Sequence, residues 1–166
     1  GGLVAGNAFS RAVQLPGQTL QGQRFDLDLG CEAVNFTGRR AMATTVNGQL
    51  PGPLLRWRQG DTVTIRVRNR MAAEGSVHWH GIILPSDMDG VPGLSFAGIA
   101  PGGEYLYRFQ VHQSGTCWYH SHSPFQEQKG QYGPIFIEPR SGERHPVGRA
   151  YEGFMGDWTD RLGMPG

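Results

Sequence analysis

The sequence predicts an all-β sandwich of roughly seven or eight short strands, and three observations carry that reading. Twenty-six glycines and eleven prolines among 166 residues are too many for a helical bundle, and they punctuate the chain at short intervals. Several runs alternate apolar and polar residues at period two, and no long stretch carries a persuasive 3.6-residue period.

The elements follow in chain order. "RFDLDL" (24–29) sets Phe25, Leu27 and Leu29 on one face. "DTVTIRVRN" (61–69) sets Val63, Ile65 and Val67 against Thr64, Arg66 and Arg68. "EYLYRFQVH" (104–112) alternates Tyr105, Tyr107, Phe109 and Val111 with polar partners, and "PIFIEP" (134–139) is a further strand bounded by prolines. Such alternation marks half-buried strands of an antiparallel sheet. Turn signals lie between them: "NGQLPGP" (47–53), "RQGD" (58–61), "SDMDGVPG" (86–93) and "APGGE" (100–104).

The folded domain is expected over residues 23–140, with no internal repeat and no low-complexity linker. Residues 1–22 read as a flexible N-terminus. "GGLVAGNAFS" is either the tail of an export signal, with Gly6 and Ala8 as small residues near a cleavage point, or a disordered glycine-rich end. "SGERHPVGR" (141–149) is polar and turn-rich, and "AYEGFMGDWTD" (150–160) begins a new apolar segment. Residues 141–166 are therefore expected to be a linker and the first strand of a truncated second domain; the other reading is a terminal strand that returns to the first sheet.

Composition excludes several functions. The net charge of +1 gives no electrostatic basis for nucleic acid, membrane surfaces or acidic polymers as partners. Arg39–Arg40 and "RWR" (56–58) read as parts of a solvated face. No apolar run approaches the roughly 20 residues of a membrane helix, so no membrane insertion is expected. The chain has neither a G-x-S-x-G elbow nor a phosphate-cradling glycine loop, and hydrolase and nucleotide-dependent functions drop out. Cys31 and Cys117 fall in separate β-like segments, which leaves open a disulfide or a pair of buried free thiols.

The informative residues are histidines. "VHWHG" (77–81) and "WYHSH" (118–122) hold four of the six. On a strand, residues i and i+2 share a face, so His78 and His80 project together with Trp79 opposite, and His120 and His122 do the same around Ser121. Two neighbouring strands would converge four imidazoles on one small volume. Imidazole suits copper, zinc, iron and nickel, whereas magnesium and calcium want oxygen. A single His-x-His is weak evidence; two pairs are hard to explain as packed or surface residues. His112 and His145 have no such company and read as solvated or hydrogen-bonded.

With "VHWHGI", "MDGVPG", "GTCWYHSH", "VNGQLPGP" and "GDTVTIRVRN" in view, residues 24–160 resemble the N-terminal cupredoxin domain of a multicopper oxidase. "HSHSPFQEQKGQYGP" and "GDWTD" are similar to the bacterial periplasmic copper-resistance oxidases in particular. The resemblance implies a cupredoxin-like Greek-key β-sandwich in the periplasm. It implies that His78 binds a type 2 copper, that His80 and His120 bind one copper of a type 3 pair, and that His122 binds the other. Such a trinuclear cluster reduces dioxygen to water with electrons from a type 1 copper, here expected outside this chain. Cuprous ion or a small phenolic donor would be oxidised. The remaining cupredoxin domains, or another copy of the chain, would complete the cluster. Asp89 matches a family position where an acid behind the ligands helps supply protons; the plain reading is a turn aspartate capping "DG". Glu127 in "FQEQ" is a further proton-relay candidate, against the plainer reading of a solvated glutamate.

The sequence also departs from the family. It has no cysteine flanked by histidines as an electron-entry motif, and no partner His-x-His motifs, so the isolated chain is expected to be inactive. Cys117 stands where the family more often has an aromatic residue. A blue-copper site there fails because Cys117 and His120 face opposite ways on a strand and the next methionine is Met155. A zinc site built on the cysteines lacks Cys-x-x-Cys spacing. Methionines 42, 71, 88, 155 and 164 do not cluster and read as core or loop filling, although Met88 adjoins Asp89. The alternative from another class is a non-catalytic copper-binding or sequestering cupredoxin domain. A third is a structural domain with vestigial ligands.

Overall fold

A computed structural model describes residues 17–36, 38–93, 96–124 and 126–140. Among them nine strands and one short 3-10 turn, Ser86–Met88, build a two-sheet sandwich. In chain order the strands are β1 Thr19–Gln21, β2 Arg24–Val34, β3 Ala41–Val46, β4 Leu54–Arg58, β5 Thr62–Asn69, β6 His78–His80, β7 Glu104–Gln110, β8 Gly115–His120 and β9 Tyr132–Glu138. One sheet runs β1-β4-β9-β8-β6 and the other β3-β2-β5-β7. No helix among the described residues is long and apolar enough to cross a membrane.

Period-two alternation builds the core. Phe25, Leu27 and Leu29 of β2, Val63, Ile65 and Val67 of β5, and Tyr107 and Phe109 of β7 are all buried. They meet Leu55 and Trp57 of β4, Trp79 of β6, Tyr119 of β8, and Ile135 and Ile137 of β9. An aromatic cluster fills the centre. Trp57 lies 5.7 Å from both Trp79 and Phe109, and Trp79 lies 5.2 Å from Tyr107, edge to face. Each such ring removes a large apolar area from water, which fixes the sheets face to face.

The sheets are mixed rather than antiparallel: β1 with β4, β4 with β9 and β2 with β5 run parallel. Alternation reports which face of a strand is buried and carries no information about strand direction. Thr19–Gln21, inside the stretch expected to be flexible, pairs along β4 as an edge strand. "RWR" is not a solvated cluster, because Trp57 is core and Arg56 pairs with Glu138 at 2.9 Å and lies over Phe136. The outer face of β2 and β5 carries the ion pairs Arg66–Asp26 and Arg68–Asp28, both 2.7 Å. Cys31 and Cys117 are free thiols, Cys31 exposed and Cys117 half-buried. Residues 1–16 and 141–166, with His145, Met155 and Met164, lie outside the described residues.

Candidate metal centre

The two histidine pairs meet at the edge of the five-stranded sheet. β6 and β8 are antiparallel neighbours in a register that sets His78 opposite His120, Trp79 opposite Tyr119 and His80 opposite Trp118. Trp79 and Tyr119 point into the core and are fully buried. Their burial turns His78, His80 and His120 to the other face, since a one-residue slip would exchange the two sets. His122 lies two residues past the end of β8. Its ring centroid is 5.0 Å from that of His78 and 5.3 Å from that of His120. Four imidazoles therefore share one small volume.

His120 is buried, His78 half-buried, and His80 and His122 exposed. Candidate ligand nitrogens of His78, His80 and His120 lie within 4.8 Å of one another. His80 Nδ1 is 3.3 Å from His120 Nε2.

The outward nitrogens have their own partners. His78 Nδ1 is 2.9 Å from the Asp89 carbonyl oxygen and 3.3 Å from its carboxylate. His120 Nδ1 is 2.9 Å from the Ser121 carbonyl oxygen and 3.1 Å from the Glu127 carboxylate. All four neighbours are acceptors, so Nδ1 carries the proton on both rings and Nε2 keeps its lone pair. A ligating histidine usually has such a partner on its other nitrogen. Burial pushes the His120 imidazolium below its ordinary pKa, as do the nearby His78 and His122 rings, against the raising influence of the Ser121 carbonyl and Glu127. The ring is thus held neutral, the form that binds a metal.

Asp89 reaches His78 because of Gly90. That residue sits at φ +74°, and a Cβ there would overlap the Val77 carbonyl. The "DG" turn is therefore a positioning device as well as a turn.

The donor set fits a borderline-soft transition ion. Its donors are imidazoles, and the two carboxylates lie behind the His78 and His120 rings, on their outer nitrogens. Two nitrogens each bonded at about 2.0–2.1 Å to one ion, the range for histidine on zinc, can stand as far apart as His80 Nδ1 and His120 Nε2 do. The sequence model of the multicopper oxidases matches residues 29–142.

This chain belongs to the multicopper oxidase family.

Multicopper oxidases use copper, and the histidine cluster is consistent with a copper site. The chain is 61% identical to copper resistance protein A of Pseudomonas syringae pv. tomato, over 85% of this chain and 23% of that protein. It is 56% identical to copper resistance protein A of Escherichia coli, over 86% of this chain and 24% of that one. Among solved structures it resembles a multi-copper oxidase from Pseudomonas thermotolerans, with a TM-score of 0.69 and 35% identity over 77% of this chain and 32% of that chain. A laccase from Botrytis aclada gives a TM-score of 0.66 and 39% identity over 74% of this chain and 23% of that chain. The chain spans about a quarter of the length of the curated relatives it matches.

Several residues at this multicopper oxidase site were not singled out from the sequence. Trp118 stacks on the His120 ring at 4.1 Å and 22°, and lies 5.0 Å from that of His80. Strand parity was the available signal, because Trp118 and His120 are two apart and share a face. Ser76, Ser121, Ser123, Gln126 and Gln131 form a buried polar network behind the histidines. No local pattern announces them. His112 is exposed and apart from the cluster; Met88 accepts the Arg108 N–H through its sulfur at 3.2 Å.

Proposed function

We propose that this domain supplies half the histidine ligands of a trinuclear copper cluster in an exported copper-resistance oxidase. In this reading His78 serves the type 2 copper, His80 and His120 one type 3 copper, and His122 the other. The observation that carries it is the convergence of both His-x-His pairs, with His80 Nδ1 and His120 Nε2 3.3 Å apart. Copper held there would supply the one-electron chemistry by which dioxygen is reduced to water while cuprous ion or a phenolic donor is oxidised. The type 1 copper and the remaining ligands come from other cupredoxin domains or another copy of the chain. The periplasm is the compartment that copper-resistance relatives suggest.

The chain's own residues have definable tasks. His78 and His120 are held in the tautomer that turns Nε2 toward the ion, by Asp89 and Ser121 carbonyls and by two carboxylates. Trp118 lies flat on His120 and restricts its rotation. Asp89 and Glu127, each half-exposed and each on a ligand histidine, are the groups placed to relay protons between water and the site. His80 and His122 face outward and leave that side open to further donors and to dioxygen.

The deciding experiment measures copper per chain, visible and EPR spectra and oxygen uptake in the natural full-length polypeptide, with His80→Ala and His120→Ala beside it. Loss of the coupled copper signal and of oxygen uptake together is expected. Copper retained in full in both variants sinks the proposal. Tight copper binding without oxygen uptake in the unaltered protein would favour sequestration instead.

A further inference from the structure

β6 and β8 share only three register pairs, a short ladder on which to hang a metal site. Continued in the same register, Val77 would face Ser121 and Ser76 would face His122. The backbone ladder stops instead. The Ser121 N–H lies on the other side of β8, where it extends the β8–β9 register to the Gln131 carbonyl at 3.0 Å. The His122 N–H goes to the hydroxyl of Ser76 at 2.9 Å. The serine side chain thus stands in for the missing ladder acceptor, one side chain's reach beyond the last strand pair.

Ser76 is fully buried, and each of its polar links is to a residue that shapes the second histidine pair. Its hydroxyl lies 3.0 Å from that of Ser123, and its carbonyl accepts the Gln131 side-chain amide at 2.6 Å. Ser121 completes the turn: it donates to Gln126 Oε1 at 2.8 Å and accepts the Ser123 N–H at 2.9 Å. The Gln126 amide then donates to the Glu74 carbonyl at 2.7 Å. A buried hydroxyl is costly unless satisfied, so a serine rather than an alanine at this place needs such a task.

We propose that Ser76 is a positioning residue for the metal centre, fixing His122 against His78 by carrying the β6–β8 register past the end of the ladder. The proposal rests on the reading of the four histidines as ligands. It assigns Ser76 no contact with the ion; it acts through the backbone of His122. Because Ser76 lies two residues before His78, one hydroxyl ties the two His-x-His motifs together. Without it the His122 N–H loses its acceptor, and the ring can drift from its 5.0 Å placement beside His78.

Two measurements on the natural full-length polypeptide test this. The first is amide hydrogen exchange at His122 in the unaltered chain, where strong protection is expected although His122 lies outside a strand. The second is titration with copper(II) of Ser76→Ala, His122→Ala and the double variant. Ser76→Ala is expected to weaken copper binding about tenfold, and to have no further effect once His122 is alanine. An amide at His122 that exchanges as fast as an open loop would overturn the proposal, whether or not the variants fold. So would a Ser76→Ala chain that binds copper like its parent, or one that loses as much again in the His122→Ala background. A parent chain that binds no copper while the His122 amide stays protected would remove the ligand reading and leave the clip itself in place.

Discussion

His80 Nδ1 faces His120 Nε2 at 3.3 Å across the β6–β8 pair. The two rings come from strand positions that are not direct register partners; His80 opposes Trp118, and His120 opposes His78. The diagonal approach works because Trp118 stacks on His120 and holds its plane. Two imidazoles in this arrangement can share one hydrogen or one metal ion, and the two further histidines beside them are consistent with the second use.

The two tryptophans beside the histidines have different tasks, and their substitution should separate them. Trp79 is fully buried in the aromatic cluster, so Trp79→Ala should cost about 3–5 kcal/mol of stability. Trp118 is only half-buried, and Trp118→Ala should cost less stability while loosening His120. Urea unfolding of both variants, with copper titration alongside, checks the contrast. Equal losses of stability would contradict it.

Removing the carboxylate behind a ligand histidine should weaken metal binding without unfolding the domain. Asp89→Asn keeps the backbone carbonyl 2.9 Å from His78 Nδ1, so the loss is expected near the low end of the usual range, about tenfold. Glu127→Gln should behave alike, since the Ser121 carbonyl still holds His120. If the carboxylates also supply protons, turnover of the natural full-length protein should fall further than copper occupancy does. Copper titration paired with steady-state oxygen uptake reads both.

The pH dependence of stability follows from His120. Its folded pKa is lowered from 6.5 by burial, so between the folded and unfolded values the unfolded chain holds a proton that the folded chain does not. The His120 contribution to stability without metal is therefore fully present above 6.5 and is lost as the pH drops below it. Thermal unfolding of the metal-free chain on either side of that value tests the sign. His120→Gln should flatten the dependence. A metal-free chain that gains stability on acidification through this range would refute the assignment.

Cys31 should react with a small alkylating reagent well before Cys117. Cys31 is exposed, whereas burial raises the Cys117 thiol pKa and leaves less thiolate, although the Gln113 amide works against this. Mass spectrometry of partially alkylated native protein gives the order. Faster modification of Cys117 would show that its segment opens more readily than its packing against the core implies.

Gly90→Ala should destabilise the "DG" turn and loosen Asp89 from His78. The added Cβ would strike the Val77 carbonyl in a backbone conformation that side chains rarely adopt. A thermal midpoint equal to that of the parent would show that the turn can rearrange without cost.

The sequence by itself determined the fold class and which histidines share a face. Alternation in "RFDLDL", "DTVTIRVRN" and "EYLYRFQVH" is a local property, because side chains on a strand change face at every residue. The same parity placed His78 with His80 and opposed them to Trp79. Strand direction, sheet order and the β6–β8 register were decided only in three dimensions. They depend on which apolar faces find one another, and residues 40 or more positions apart leave no local trace of that choice. The Asp89 and Glu127 contacts with ring nitrogens and the Ser76 hydroxyl on the His122 amide belong to this second class, whereas strand parity already set Trp118 on the face of His120. A hydrogen bond needs its partners placed to within a few tenths of an ångström, and that accuracy comes from the packed core, not from the order of the residues along the chain.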